Sequence, residues 1–373
     1  PVDCPSILNF SIYKDLRIES ITSTSSIEYQ IGDTVDHWSP FITDAKSITI
    51  TLKDHRKTGK PLTLVFDYEG CIHVTSKYEV NRITKEWIEI GLYAPWYPLL
   101  KSFVPATFDV IIHLDSAYQV INAKRSEEGI FEAHQTIPQI DCPIIASDQF
   151  RLCNIDYQNA EVKVYYTQDE YRHEVEVICS CVESVLSSYE AFGKIQSRVF
   201  SVVIAPRTNG GGYCRSDLIV VTPDEERNEA DYFRFIAHEL AHLWWHEAPT
   251  TSWEDWLNES FAEYSALMAL RQKFGQQIFL ERIIECTKLA KGLPPIIGLS
   301  RNDEKAHTVL YDKGPLILNQ LEKSIGRKEF IRLLHTIHVQ KVTSTQKLLD
   351  VVAQETNAKT KQMLVSMLRS KRD

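Results

Sequence analysis

Two histidines four residues apart, with a glutamate beside the first, carry the strongest chemical signal in the chain: His238-Glu239-Leu240-Ala241-His242. They lie in FRFIAHELAHLWWHEAP, an apolar run with no proline until its end, which predicts a helix. Residues four apart share a helix face, so both imidazoles can point at one metal ion while Glu239 lies near a water held there. A catalytic zinc site takes three protein ligands and leaves a position for water. The candidate third ligand is Glu259 in WLNESFAEY, separated from His242 by sixteen residues, 243–258. Pro249 is expected to end the first helix, and Ser252-Trp-Glu-Asp255 to cap a second, so that the chain doubles back and presents Glu259 to the ion. His246 is the rival ligand. It continues the same helix face, but a straight helix carries it about one turn, roughly 6 Å, past the ion.

Glu263, one turn beyond Glu259, has two readings. It either accepts the outer N–H of a ligand histidine, fixing tautomer and ring orientation, or is an exposed helix carboxylate. Zinc held by two neutral imidazoles and one carboxylate keeps a positive charge and acidifies its water. Glu239 would then serve as general base and afterwards as general acid. The reaction this chemistry points to is hydrolysis of a peptide or amide.

The elements that must position these residues are legible in outline. Residues 1–150 read as a β-rich domain, with SITITLKD (47–54), LTLVFDYEG (62–70), EWIEIGLYA (86–94) and TFDVIIHLD (107–115) as strands between turn-forming residues. Asp115, Glu128 and His134 in that domain read as surface groups. Residues 151–373 read as a second domain. It opens with the strand EVKVYY, a capping box at Thr167-Gln-Asp-Glu170, a helix reaching about Phe192, and strands at 198–206 and 217–223. From Asn228 onwards the pattern is helical, giving a small α/β lobe followed by a helical lobe. The fold class expected is therefore α+β.

Composition excludes several other classes. The hydrophobic share of 43% and charged share of 24% are ordinary for a soluble globular chain of 373 residues. A formal net charge of −9 gives no electrostatic footprint for nucleic acid. No apolar run approaches a membrane span. The eight cysteines form no C-x-x-C pair or dense framework, which favours reduced thiols and a cytoplasmic setting. The chain starts at Pro1, so an upstream segment could have been removed. The basic end, Arg369-Ser-Lys371-Arg372, reads as a solvated tail. The oligomeric state is open, with a monomer allowed.

Taken together, these residues resemble the gluzincin metallopeptidases of the aminopeptidase N and leukotriene hydrolase family. That family carries HELAH, an aromatic pair and a later Trp-Leu-Asn-Glu; here they read His238–His242, Trp244-Trp245 and Trp256-Leu257-Asn258-Glu259. The resemblance implies a thermolysin-like catalytic domain, one Zn2+ per chain and a peptide or protein substrate. It also implies a role for Tyr311 of Tyr311-Asp312-Lys313-Gly314, seventy-two residues after Glu239 (311 minus 239), as donor to the developing oxyanion. The family's Gly-x-Met-Glu-Asn strand, whose glutamate takes the substrate's α-amine, corresponds to Gly211-Gly212-Tyr213-Cys214-Arg215. The glycines still allow close approach of an extended peptide, but a thiol replaces the carboxylate and a cation follows it.

The expectation is thus a zinc peptidase with altered recognition of the substrate N terminus. The alternatives are a true aminopeptidase using a relocated carboxylate such as Asp217, or a peptide-binding homologue without catalysis. Many members continue into a large C-terminal helical region; with the chain ending at Asp373, a more open cleft is expected.

Overall fold

The structure is a computed structural model describing residues 6–34, 42, 44–53, 61–73, 80–157, 160–195, 199–207, 211–223 and 228–371. Cys4, residues 208–210 of the glycine-rich loop and Arg372 of the basic tail lie outside the described residues. The chain divides into two compact units, one of residues 1–150 with 206–210, the other of residues 151–205 with 211–373.

The first unit is built of antiparallel strands. One four-stranded sheet runs Ile27–Thr34, Ala45–Leu52, Ile7–Tyr13, Leu99–Leu100, and a second runs Gln119–Val120, Ile144–Ser147, Ile88–Ile90, Arg82–Ile83. The alternation in SITITL has a direct cause: Ile48, Ile50 and Leu52 are buried while the residues between them are only half-buried, as a pleated strand with one core face requires. Asp115, Glu128 and His134 are exposed, with His134 Nδ1 2.8 Å from Asp109.

The second unit opens with a five-stranded sheet in the order Arg151–Tyr157, Ala160–Tyr166, Val199–Ile204, Leu218–Val221, Tyr213–Arg215. Its two inner pairings are parallel and its two outer pairings antiparallel, so Tyr213–Arg215 is an edge strand. Its helices are α1 (Arg172–Tyr189), α2 (Glu229–Ala241), α3 (Trp256–Phe274), α4 (Gln276–Leu289), the single turn α5 (Ala306–Thr308), α6 (Gly314–Ile325), α7 (Arg327–Val339), α8 (Thr345–Glu355) and α9 (Ala358–Arg369). One apolar cluster joins the sheet to all the longer helices. At its centre lies α3, buried on every side from Trp256 to Leu270 except at Glu259, which is half-buried. A helix surrounded in this way must pair whatever polar groups it carries. Asn258 does so with the backbone of Ala248 and with Asp255, and Ser260 with the Leu310 carbonyl.

The strand read over 86–94 shrinks to Ile88–Ile90, and two helix ends differ for identifiable reasons. The cap expected at Thr167 does not form: α1 starts at Arg172 after a 3-10 turn, and the Thr167 hydroxyl is buried at the end of its strand without a hydrogen-bond partner. Helix α2 stops at Ala241 rather than running to Pro249. A continued helix would commit the Trp245 carbonyl to the N–H of residue 249, and proline has none to give. The His242 ring takes that carbonyl instead, at 3.0 Å, and the chain closes in tight turns through Trp245.

Candidate metal centre

His238 and Glu239 occupy the last turn of α2, His242 follows it, and Glu259 and Glu263 lie on successive turns of α3. The Nε2 atoms of His238 and His242 are 3.2 Å apart. Glu259 Oε2 stands 3.4 Å from the first and 3.6 Å from the second. Ligand atoms about 2.0–2.1 Å from one tetrahedral centre lie roughly 3.3 Å from each other, so this triangle has the size of one face of a zinc site. Among the described residues, this is the one cluster of three or more potential ligands found.

The outer ring nitrogens are both tied down. His238 Nδ1 lies 3.1 Å from Glu263 Oε2, and His242 Nδ1 3.0 Å from the Trp245 carbonyl. Donation from Nδ1 in both rings would leave each Nε2 lone pair facing the centre once a metal displaces the His238 Nε2 proton, the protonation state a ligand needs. Glu263, 1% exposed, is therefore not the surface carboxylate of its alternative reading. Burial pushes its pKa up, but the Arg234 guanidinium, which donates to it, and His238 outweigh burial and hold it at about 2. Glu259 is likewise held well below the carboxylate range: burial works against it, and His242, His238 and the Tyr311 hydroxyl prevail. The two imidazoles diverge. Burial lowers both, but hydrogen bonds to Glu259 and Glu263 raise His238 to about 10, whereas burial takes His242 down to about 4.

Tyr311 reaches the centre from a π-helical turn, Val309–Lys313, between α5 and α6. Pro315 explains the widened turn, since it has no N–H for the Tyr311 carbonyl and an α-helical register cannot close there. The Tyr311 hydroxyl donates to Glu259 Oε2 at 2.5 Å, and burial raises its pKa well above the usual phenol value. Lys313, 1% exposed, anchors the same turn by donating to the carbonyls of Pro294 and Ser370, each at 2.7 Å.

Gly212 faces the general-base candidate directly: a Cβ there would meet the Glu239 carboxylate at 2.8 Å and the Phe235 ring at 2.9 Å. Gly211 has φ +58, in the left-handed region, with open space around it. Cys214 is half-buried on the edge strand; burial first, then Glu239, push its thiol pKa up, so it is a neutral group beside the site. Arg215 stacks over the Tyr213 ring at 5.2 Å and donates to the Cys214 carbonyl at 2.8 Å. Asp217, on the turn that follows, has its pKa raised by burial. His246 takes no place in the centre. Its side chain is 47% exposed, with Nδ1 2.8 Å from the His242 carbonyl, because α2 ends before it.

Sequence reasoning missed two supports of this site. Arg282, on α4, donates to Asp312 at 3.0 Å and lies 3.9 Å from Glu263, joining the His238 partner to the residue after Tyr311. His307 stacks on Tyr311. The Arg282 contacts arise from tertiary placement and carry no spacing signal, whereas His307 stands four residues before Tyr311, a helical-neighbour spacing that could have pointed to it.

A helix-borne histidine pair facing a carboxylate on the next buried helix, beneath an edge strand opened by glycine, defines the gluzincin class of zinc peptidase folds. Residues 213–367 match the family described as Peptidase family M1 domain. The chain is 30% identical to human endoplasmic reticulum aminopeptidase 2 over 38% of its own length and 14% of that protein. It is 26% identical to leucine aminopeptidase 2 of Aspergillus niger over 74% of its length and 46% of that protein. It thus spans less than half the length of these curated relatives. The crystal structure of the M1 zinc metallopeptidase from Deinococcus radiodurans superimposes with a TM-score of 0.72 at 16% identity, covering 100% of this chain and 88% of that one. That likeness shows a shared fold of a β-rich part followed by a mixed α/β and helical part.

Proposed function

We propose that the chain is a zinc-dependent metallopeptidase in which His238, His242 and Glu259 hold the ion and Glu239 is the general base and acid. The observation that carries this reading is the triangle of donor atoms with both outer ring nitrogens satisfied, set beside Gly212, where a side chain would collide with the Glu239 carboxylate. Zinc, when bound, supplies a Lewis acid that acidifies water and polarises a carbonyl. Glu239 takes the proton from the attacking water and returns it to the leaving amine. Tyr311 donates its hydroxyl proton in a hydrogen bond to the oxygen that gains charge, which requires it to exchange Glu259 for that oxygen. The edge strand Tyr213–Arg215 offers backbone groups to an extended peptide.

Recognition of the substrate N terminus is altered, because Cys214 is neutral where a carboxylate would attract an ammonium and Arg215 adds positive charge. Asp217, a half-buried carboxylate on the same hairpin, favours a second reading in which it takes over amine binding. Hydrolysis of one peptide with a free and with an acetylated N terminus separates the two, since an aminopeptidase loses the blocked substrate. For the main reading, Glu239→Gln should keep its zinc and lose roughly 10²–10⁴-fold in kcat. Full activity in that variant, or no zinc in the purified wild type, would overturn it. Among the described residues no helix is long and apolar enough to cross a membrane.

A further inference from the structure

We propose that His307 is a positioning residue for Tyr311: its imidazole forms the outer layer of a three-ring stack, His307–Tyr311–His238, that holds the Tyr311 hydroxyl against Glu259. The His307 and Tyr311 rings lie 4.2 Å apart between centroids and 5° from parallel. Tyr311 in turn lies 5.2 Å from the His238 ring at 23°. A phenol with a ring on each face loses rotation about its own axis and out-of-plane swing. It keeps only the in-plane movement that slides the hydroxyl along the ligand triangle. That is the one movement Tyr311 needs to pass from Glu259 to a reacting oxygen, and the stack holds it to that plane.

His307 is well suited to this and to nothing else visible around it. It is exposed, so packing of the core does not require it. Among the described residues, Tyr311 is its one ring contact, and its side chain makes no hydrogen bond or ion pair. It precedes Tyr311 by four residues, in α5, and the π-helical turn begins two residues after it. Lys313 fixes the far end of that turn through the carbonyls of Pro294 and Ser370. The backbone of Tyr311 is therefore set by Lys313 and the plane of its ring by His307 and His238.

The inference rests on the peptidase reading for its purpose, but the stack can be detected without turnover. In the zinc-loaded full chain labelled at histidine Cε1, the His307 ring proton, assigned by its loss in His307→Phe, should resonate upfield of the exposed histidines because it faces an aromatic ring. Tyr311→Ala should return it to their range. In hydrolysis assays His307→Ala should lower kcat about tenfold with KM within about twofold, while His307→Phe, which restores a flat ring without nitrogen, should recover kcat to within about threefold. Zinc retention against a chelator should be the same in both variants, which excludes a collapsed site. An unshifted His307 proton, or unchanged kcat in His307→Ala, would overturn the proposal. So would failure of phenylalanine to rescue, which would make the imidazole a chemical participant. A wild type that shows the shift and its loss in Tyr311→Ala, yet turns over no peptide, sinks the peptidase reading and still supports the stack.

Discussion

His238 and His242 are chemically the same residue, one helical turn apart, and the protein charges them differently. His238 sits between Glu259 and Glu263, and their hydrogen bonds raise its pKa to about 10; His242 has a backbone carbonyl for a partner, and burial lowers it to about 4. In a metal-stripped sample between pH 6 and 8, His238 therefore carries a proton and His242 does not. Zinc requires the lone pair of both, so its uptake should release one proton, and the apparent affinity should rise about tenfold per pH unit across that range. Calorimetry in buffers of different ionisation enthalpy counts the proton; a count of zero or two near neutrality would contradict the assignment. The sign for stability follows. A raised folded pKa stabilises the stripped chain fully below the ordinary histidine value near 6.5, and that contribution is lost as pH rises through about 10.

Glu263→Gln removes the charge that orients His238 and should cost roughly 10–100-fold in zinc affinity, read by chelator competition. An unchanged affinity would return Glu263 to the role of a buried partner for Arg234. At this scale the sequence was informative where chemistry restricts residue type and spacing, as in His238, His242 and Glu259. It was silent on Arg282, whose partners are chosen by the fold; His307 stood at a helical-neighbour spacing from Tyr311, but nothing about its residue type singled it out.

Among the elements, strand interiors followed from alternation, and helix ends depended on which polar group reached a free carbonyl first. The cap at Thr167 failed because the strand before it buries the hydroxyl, and α2 ended early because His242 claims the Trp245 carbonyl. The start of α6 lies hard against α3 at Gly314. A Cβ on Gly314 would fall 1.9 Å from Ser260 Oγ and 2.5 Å from Ser260 Cβ, so only glycine lets the Tyr311 turn approach α3. Gly314→Ala must push these helices apart and should cost about 1–3 kcal/mol. In a unit of this size that lowers Tm by roughly 2–4 °C per kcal/mol. Adding Ser260→Ala removes the nearer contact and should recover part of the loss. A Tm unchanged in Gly314→Ala would mean that the two helices do not meet as described.

At the scale of the whole molecule, the contact least visible in the sequence joins Glu89 to Arg207, 118 residues apart within the first unit. Nothing in EWIEIGLYA marks the glutamate as buried, yet both side chains are 0% exposed. The guanidinium bonds both carboxylate oxygens, at 3.2 and 3.3 Å, and Trp87 Nε1 adds a third contact at 3.3 Å. Two charges removed from water in this way stabilise little as a pair, because desolvation offsets their attraction; one of them left alone is costly. Glu89→Gln should therefore destabilise the full chain by about 3–5 kcal/mol in urea unfolding, whereas Glu89→Met combined with Arg207→Met should fall much closer to wild type. The two outcomes separate pairing from mere packing. If the single substitution costs under about 1 kcal/mol, water reaches the pair and its burial is not what holds Arg207 to the first unit; if the double costs as much as the single, the hydrogen bonds rather than the charges are what the fold requires.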